Sequence, residues 1–450
     1  MKMKRSNYLL KGPTAVLVVL LLSYSAYSQS IQKKERYIPQ TVYRVPEGND
    51  YSNDSSEFSY KRMIETPNFA AFWAKEYGDD PMANPDTAKR FDLAAALAEG
   101  ERFYNYFIDT LKFADRGRSW SDKYKILIYV IGSEDGGGTA FGGGSEHVGI
   151  FWAPPARINQ SPYGTFAHEL GHSFQFLVRA DGANGAGGSM AEMTSQYMLW
   201  QVYPEWMTFE NYHLKSFMEK THYAFLHPTN MYHSPYVLEY WSSIHGKDMV
   251  ARLWRESREG EDAVMTYKRL TGIGQQAFND ELFDACRRFI TWDMDRIREV
   301  ASPYANQHHT SLVDVGNGWY RIDSAKCPQN YGYNGIELAV PKSGTTVKLQ
   351  FKELAGSTGY SVHRVAHAGW RYGFVAYKEN GERVYGKIQT AADGKAKFKV
   401  PEGTKHLWLV VMGAPEEHWS IPMRRRGQQA ETAKEEQWPY QIKLVGTTVL

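Results

Sequence analysis

Apolar positions along this chain follow two different rhythms, and the change falls near residue 300. Over residues 87–113, Leu93, Leu97, Tyr104, Phe107 and Leu111 recur at near-helical spacing, and Asn84-Pro85-Asp86 supplies a start signal, so a long helix is expected. Residues 125–131 (KILIYVI) form a continuous β-branched run and predict a buried strand. Residues 148–152 (VGIFW), closed by Pro154-Pro155, predict an edge strand. The helical rhythm returns at 165–178 (TFAHELGHSFQFLV), where Phe166, Leu170, Phe174 and Leu177 share one face. It continues after the glycine-rich turn 181–188 in SMAEMTSQYMLW, and again over 231–246, 248–254, 263–270 and 279–293.

Beyond Ser302-Pro303 the helical rhythm stops. Short β-rich runs take over at 345–351, 373–377, 383–388, 397–400, 407–412 and 440–444, with Asn380-Gly381 and Asp393-Gly394 as expected hairpin turns. Six or more short strands at this spacing predict a β-sandwich. Trp370, Tyr372, Trp408, Trp419 and Trp438 either line a sugar-binding face or fill its core, and core packing is the reading preferred. Glu431–Glu436 reads as a solvated charge run.

The polar face of 165–178 carries the chemistry. His168-Glu169-Leu170-Gly171-His172 sets two imidazoles one helical turn apart on one face, where both can reach one metal ion. Glu169 lies close enough to take a proton from a metal-activated water. The same pattern can arise from two core histidines, and a third ligand separates the readings. Glu192, on the following helix, provides one, giving a His₂Glu set with an open fourth position, the arrangement of catalytic zinc.

With these residues the chain resembles the gluzincin clan of zinc metallopeptidases, over about residues 120–300. The resemblance implies Zn²⁺ held by His168, His172 and Glu192, with Glu169 as general base. Thermolysin-like members carry an Asp four residues after the ligand Glu to orient the first histidine; this chain has Gln196, an uncharged acceptor. The clan also supplies a Tyr or His as oxyanion donor. Tyr232 fits best by spacing, with His233 and Tyr236 as competitors, and packing roles are open to all three. The strand 148–152, with Gly149, is expected to bind an extended peptide by strand addition. Gly143-Gly144-Ser145-Glu146-His147 is a degenerate form of the aminopeptidase Gly-x-Met-Glu-Asn motif, which would make Glu146 an anchor for a substrate N-terminus; the alternative is a charged loop residue. Residues 132–144 lack the Gly-Lys-Ser/Thr of a phosphate loop and are expected as a flexible active-site loop.

Residues 1–28 read as a signal peptide: a basic start, an apolar run over 15–22, and Ala26-Tyr27-Ser28 as cleavage site. No membrane span is expected. Of 52 basic residues, four lie in this leader; the mature chain then has 48 against 50 acidic, so its net charge gives no sign of nucleic-acid binding. Cys286 and Cys327 can pair or remain as buried thiols.

The expected organisation is a signal peptide (1–28), a polar lead-in (29–60), an α+β zincin-like catalytic domain with a mixed sheet and a helical lobe (61–300), and an all-β sandwich (301–450). The expected function is an exported zinc-dependent endopeptidase acting on peptide or protein substrates, possibly glycosylated. The alternatives are an aminopeptidase anchored by Glu146, or a non-catalytic exported glycan- or protein-binding protein with a vestigial zinc site.

Overall fold

The computed structural model describes residues 33–132, 138–159, 161–421 and 436–450. The leader expected at 1–28, the centre of the glycine-rich segment and most of the charge run at 431–436 therefore lie outside the described residues. The first sheet uses strands β1 (Met63–Glu65), β2 (Phe69–Trp73), β3 (Ile126–Val130), β4 (Phe141–Ser145) and β5 (Val148–Ala153), in the order β1-β2-β3-β5-β4. The central pairs β2·β3 and β3·β5 are parallel, and the two outer pairs are antiparallel. All five residues of β3 are buried, which is why its sequence runs apolar without alternation: both faces of the sheet are covered.

One face is covered by helices α1 (Leu93–Asp109) and α2 (Gly164–Ala180). Phe166 of α2 meets Phe69 of β2 at 5.6 Å and Phe151 of β5 at 4.8 Å between ring centroids. Residues of the polar lead-in help cover the other face. Phe58 packs edge-on against Tyr129 at 5.0 Å, Tyr51 Oη lies 2.9 Å from Tyr129 Oη, and Trp152 Nε1 donates to the Tyr43 carbonyl at 2.9 Å. The low apolar content of this stretch hid a few aromatic side chains that do its packing.

The edge strand is not the expected one. β5 is internal, and the glycine-rich FGGGS stretch, expected as loop, forms the edge strand β4. Glycine lets this strand lie directly on α2. A Cβ at Gly142 would fall 2.2 Å from the Glu169 carbonyl oxygen, and one at Gly144 would fall 2.1 Å from the Phe176 ring.

Helices α3 (Met190–Val202), α4 (Asn211–Glu219), α5 (Tyr236–His245), α6 (Met249–Arg255), α7 (Ala263–Thr271) and α8 (Gln275–Phe289) follow. The expected 87–113 helix is shorter than its pattern: a 3₁₀ turn occupies Thr87–Lys89 and Asp92 caps α1, accepting from the Ala95 N–H.

The β-sandwich pairs a four-stranded sheet, β11-β10-β13-β8, with a five-stranded sheet, β12-β9-β14-β7-β6. Its strands are β6 (Leu312–Asp314), β7 (Trp319–Ile322), β8 (Tyr333–Leu338), β9 (Thr346–Glu353), β10 (Trp370–Lys378), β11 (Arg383–Tyr385), β12 (Asp393–Lys399), β13 (Thr404–Gly413) and β14 (Tyr440–Val445). Leu349 and Phe351 of one sheet and Phe374 and Leu409 of the other share its core. Val375, Trp408, Val410 and Met412 turn the opposite way and join the core of the helical region, so one apolar interior continues past residue 300. Residues 34–450 form one compact unit.

One local expectation gives way here. Asp393-Gly394 opens β12 rather than making a turn, because it pairs in register with Lys352 and Phe351. The short polar strands β6 and β7 and the strand β8 had no clear sequence pattern. Cys286 and Cys327 are both free and buried, and Cys286 Sγ sits 3.7 Å from Met412 Sδ. Trp370, Tyr372, Trp408 and Trp438 are buried at 1 % exposure or less, as core packing requires.

Candidate metal centre

The apolar stripe of α2 decides which way its polar side points. Phe166, Leu170, Phe174 and Leu177 are buried against the sheet and α1, so His168 and His172 face outward. Gly171, between them, faces α3: a Cβ there would lie 2.9 Å from Ser195 Oγ and 3.2 Å from Ser195 Cα. This close approach of two helices carries Glu192, in the first turn of α3, up to the histidine pair.

Three ligand atoms then converge. His168 Nε2 and His172 Nε2 are 3.2 Å apart, and Glu192 Oε2 lies 3.2 Å from each. A regular tetrahedron with edges of about 3.2 Å has its centre about 2.0 Å from each corner, which matches Zn–N and Zn–O bond lengths. The donor set of two imidazoles and one carboxylate also suits zinc. The residues therefore fit a zinc ion with the fourth corner toward the cleft. Glu169 brings a carboxylate oxygen within 4.8 Å of both imidazole atoms, farther than Glu192 and suited to a base beside the ion rather than a ligand.

Electrostatics divide the two carboxylates. Burial works to raise the Glu192 pKa, but the adjacent His168 and His172 outweigh it and hold the group well below the usual carboxylate range. Glu169 moves the other way: burial pushes its pKa up, against the two histidines and a hydrogen bond from the Gly142 N–H. A carboxylate with a raised pKa is a better proton acceptor near neutrality. Burial lowers the His168 pKa, and Glu192 and Glu169 more than reverse it.

Behind His172 stands Gln175, which the sequence reading did not single out. Its Nε2 donates to the Ala191 carbonyl at 2.8 Å and to Ser195 Oγ at 2.9 Å, so its Oε1 is left to accept from His172 Nδ1 at 3.2 Å. That fixes the proton on Nδ1 and frees the Nε2 lone pair. The signal was available as a Gln three residues after the second motif histidine. Gln196 behaves differently. It approaches His168 and favours the charged imidazole, yet its buried Oε1 makes no well-aligned hydrogen bond among the described residues. Its Nε2 lies 3.2 Å from His213 Nε2, and His213 Nδ1 lies 2.8 Å from His233 Nδ1.

The donor triangle opens on a cleft of about 700 Å³ that includes Phe141 and Gly142 of β4, Arg157, Tyr212, His213 and Tyr232. Tyr232 is 37 % exposed, and burial followed by the charge of the nearby Glu192 raises its pKa. Its two competitors are placed elsewhere. His233 contacts His213. Tyr236 is fully buried among Trp200, Phe217 and Trp292.

Glu146 is not brought to this site. It sits at the β4–β5 turn with φ 53°, accepts from the Tyr37 hydroxyl, and accepts from the Gln40 N–H at 3.0 Å. Gly149 is not there either. It is inside β5, where a Cβ would meet Ser173 Cβ of α2 at 3.1 Å, so it serves helix–sheet packing.

A family model described as a family of unknown function, DUF6055, matches residues 28–450. No curated protein matches the chain. Among solved structures, the C-terminal family 22 carbohydrate-binding module of Clostridium thermocellum Xyn10B is 9 % identical, with a TM-score of 0.19, covering 31 % of this chain and 81 % of that one. The CBM22-1 xylan-binding domain of Paenibacillus barcinonensis Xyn10C is 14 % identical, with a TM-score of 0.17, over 30 % of this chain and 81 % of its own. The Gap123 glycosylation-associated protein complex of Streptococcus agalactiae is 10 % identical, with a TM-score of 0.16, over 30 % of this chain and 39 % of that chain.

Proposed function

For this chain, which belongs to the DUF6055 family of unknown function, we propose an exported zinc-dependent peptidase of gluzincin type, cleaving within peptide or protein substrates. The observation that carries this reading is the triangle of His168 Nε2, His172 Nε2 and Glu192 Oε2 with edges of 3.2 Å. Three lone-pair donors at that spacing are poorly served by hydrogen bonds among themselves and well served by one cation. Support also comes from the sheet, whose antiparallel edge strand borders the cleft as a zincin-like domain would require.

Bound at this triangle, Zn²⁺ supplies Lewis acidity that makes a water easier to ionise and a carbonyl more electrophilic. Glu169 then serves as the proton acceptor. Its carboxylate, raised in pKa by burial and steadied by the Gly142 N–H, takes a proton from the attacking water and can hand it to the leaving amine. Tyr232 keeps its hydroxyl proton near neutral pH. It can turn from Glu192 to donate to the oxyanion as the carbonyl becomes tetrahedral. β4 offers backbone groups to an extended substrate, a role the sequence reading gave to β5.

Cleavage within chains is favoured over removal of N-terminal residues because the Glu146 carboxylate is engaged by Tyr37 and Gln40, away from the cleft. The test is zinc content and peptide-library cleavage of the mature chain beside Glu169→Gln. One zinc per chain in both, with cleavage only in the wild type, is the expected result. Zinc in neither would end the proposal, and equal cleavage by both would remove Glu169 as the base.

A further inference from the structure

The outward face of the five-stranded sheet concentrates positive charge in a chain whose charges nearly balance. In β9 and β12 the inward positions are Val347, Leu349, Phe351, Ala396 and Phe398. The outward positions include Lys348, Lys352, Lys395, Lys397 and Lys399, all exposed, and Lys443 of β14 joins them. Lys348 stands directly opposite Lys397 across paired strands. Like charges directly opposite one another destabilise a sheet, and here the one facing pair sits within a field of further lysines. Asp393, opposite Lys352, is the one acidic side chain in these register rows. Among the described residues, no carboxylate lies within ion-pair distance of any of the six lysines.

Protection of a sheet edge explains lysines on β12, which is an edge strand. It does not explain Lys348 and Lys443, which lie on internal strands β9 and β14. We propose that this face binds an acidic polysaccharide, the facing Lys348 and Lys397 and the surrounding lysines pairing with its carboxylates or sulfates. Outward lysines spaced about 4.8 Å between strands and about 6.8 Å along them form a flat grid of charge. Thr346, Gln350 and Gln441 stand between the lysines and can bond sugar hydroxyls, while Trp319, opposite Lys443, ends one row. A duplex groove calls for a protruding helix or ribbon, and a single-stranded nucleic acid for a ladder of aromatic rings; this face offers neither. Its exposed apolar side chains, Val313 on the short edge strand β6 and Val445 at the end of β14, are small and isolated, which gives a bilayer little to hold.

The site is independent of the zinc cleft, so its test is separate. The mature chain is assayed for binding to polygalacturonate at low salt, beside the triple variant Lys348→Gln, Lys395→Gln, Lys397→Gln. The expected result is salt-sensitive binding, weakened at least tenfold in the triple variant, with no binding of amylose. Thermal unfolding checks that the variant is folded, and relief of the facing charges should leave its Tm equal or higher. No binding at low salt, or binding unchanged in the variant, overturns the proposal. Equally tight binding to phosphatidylglycerol vesicles or to DNA overturns the assignment to polysaccharide.

Discussion

Two histidine pairs lie on either side of Gln196, and they are built for different ends. His213 and His233 face each other through Nδ1 atoms 2.8 Å apart, a separation that one shared proton satisfies. His168 and His172 face each other through Nε2 atoms 3.2 Å apart, with Glu192 Oε2 at the same distance from both. The nearest carboxylate to the first pair, Glu210, is 3.8 Å away on the far nitrogen of His213. Burial and the neighbouring His233 and His168 push the His213 pKa down to about 3, so it stays neutral. Glu192 and Glu169 pull the His168 pKa up against burial. Imidazole proximity alone is therefore no mark of a metal site; a third, anionic corner at equal distance is.

The largest effect that can break this contrast comes from the third corner. Glu192→Ala leaves two nitrogens and should reduce zinc from one per chain to a small fraction by elemental analysis, with peptidase activity gone. Retention of full zinc would make the two pairs equivalent. Next comes Glu169→Gln, which should keep the metal and lower kcat about 10³-fold, the range of a lost general base.

A smaller effect belongs to the outer contacts. Gln175→Leu removes the acceptor behind His172 and should weaken zinc binding about 10- to 100-fold in chelator competition. His213→Phe, a change in a ring that meets Gln196, His233, Trp206 and Tyr212 and no donor atom of the triangle, should keep the stoichiometry at one. If His213→Phe lost the metal and Gln175→Leu did not, the ranking of the two pairs would be reversed.

The smallest effect is a pH slope. Buried His213 and His308 both have pKa values near 3 when folded, pushed down chiefly by burial. Unfolded histidines take protons near about pH 6.5. Between those values the unfolded chain binds more protons, so stability must fall as pH drops from about 6.5 toward 3. His308→Gln, next to Tyr333, should shallow the decline of Tm with acid, by on the order of a few degrees. An unchanged slope would take His308 out of the account.

What the sequence made legible was local. The histidine spacing, the apolar back of α2 and the reach to Glu192 depend on one helix and one turn, and each of the six β-rich runs after residue 303 overlaps a strand, the run 383–388 only in its first half. What it hid was decided by distant partners. Whether β4 or β5 takes the edge depends on which of them pairs with β3, a strand outside both. Gln175 acquires its role only when α3 crosses α2 at Gly171. Glu146 fits an anchor motif in sequence, but the segment around Tyr37 and Gln40, more than a hundred residues earlier, claims its carboxylate. The lysine face appears only when strand register sets Lys348 against Lys397.

The glycines of β4 have a mechanical consequence. Gly142 and Gly144 rest on α2 with no room for a methyl group, while Gly143 has nothing within 4 Å of its would-be Cβ. The strand is a shim of single-backbone thickness between the helix that holds the donors and the space where a substrate would lie. An alanine at 142 or 144 would lift this wall off its bearing and reset the jaw opening without altering any donor atom. An alanine at 143 would roughen the outer surface and leave the gauge unchanged.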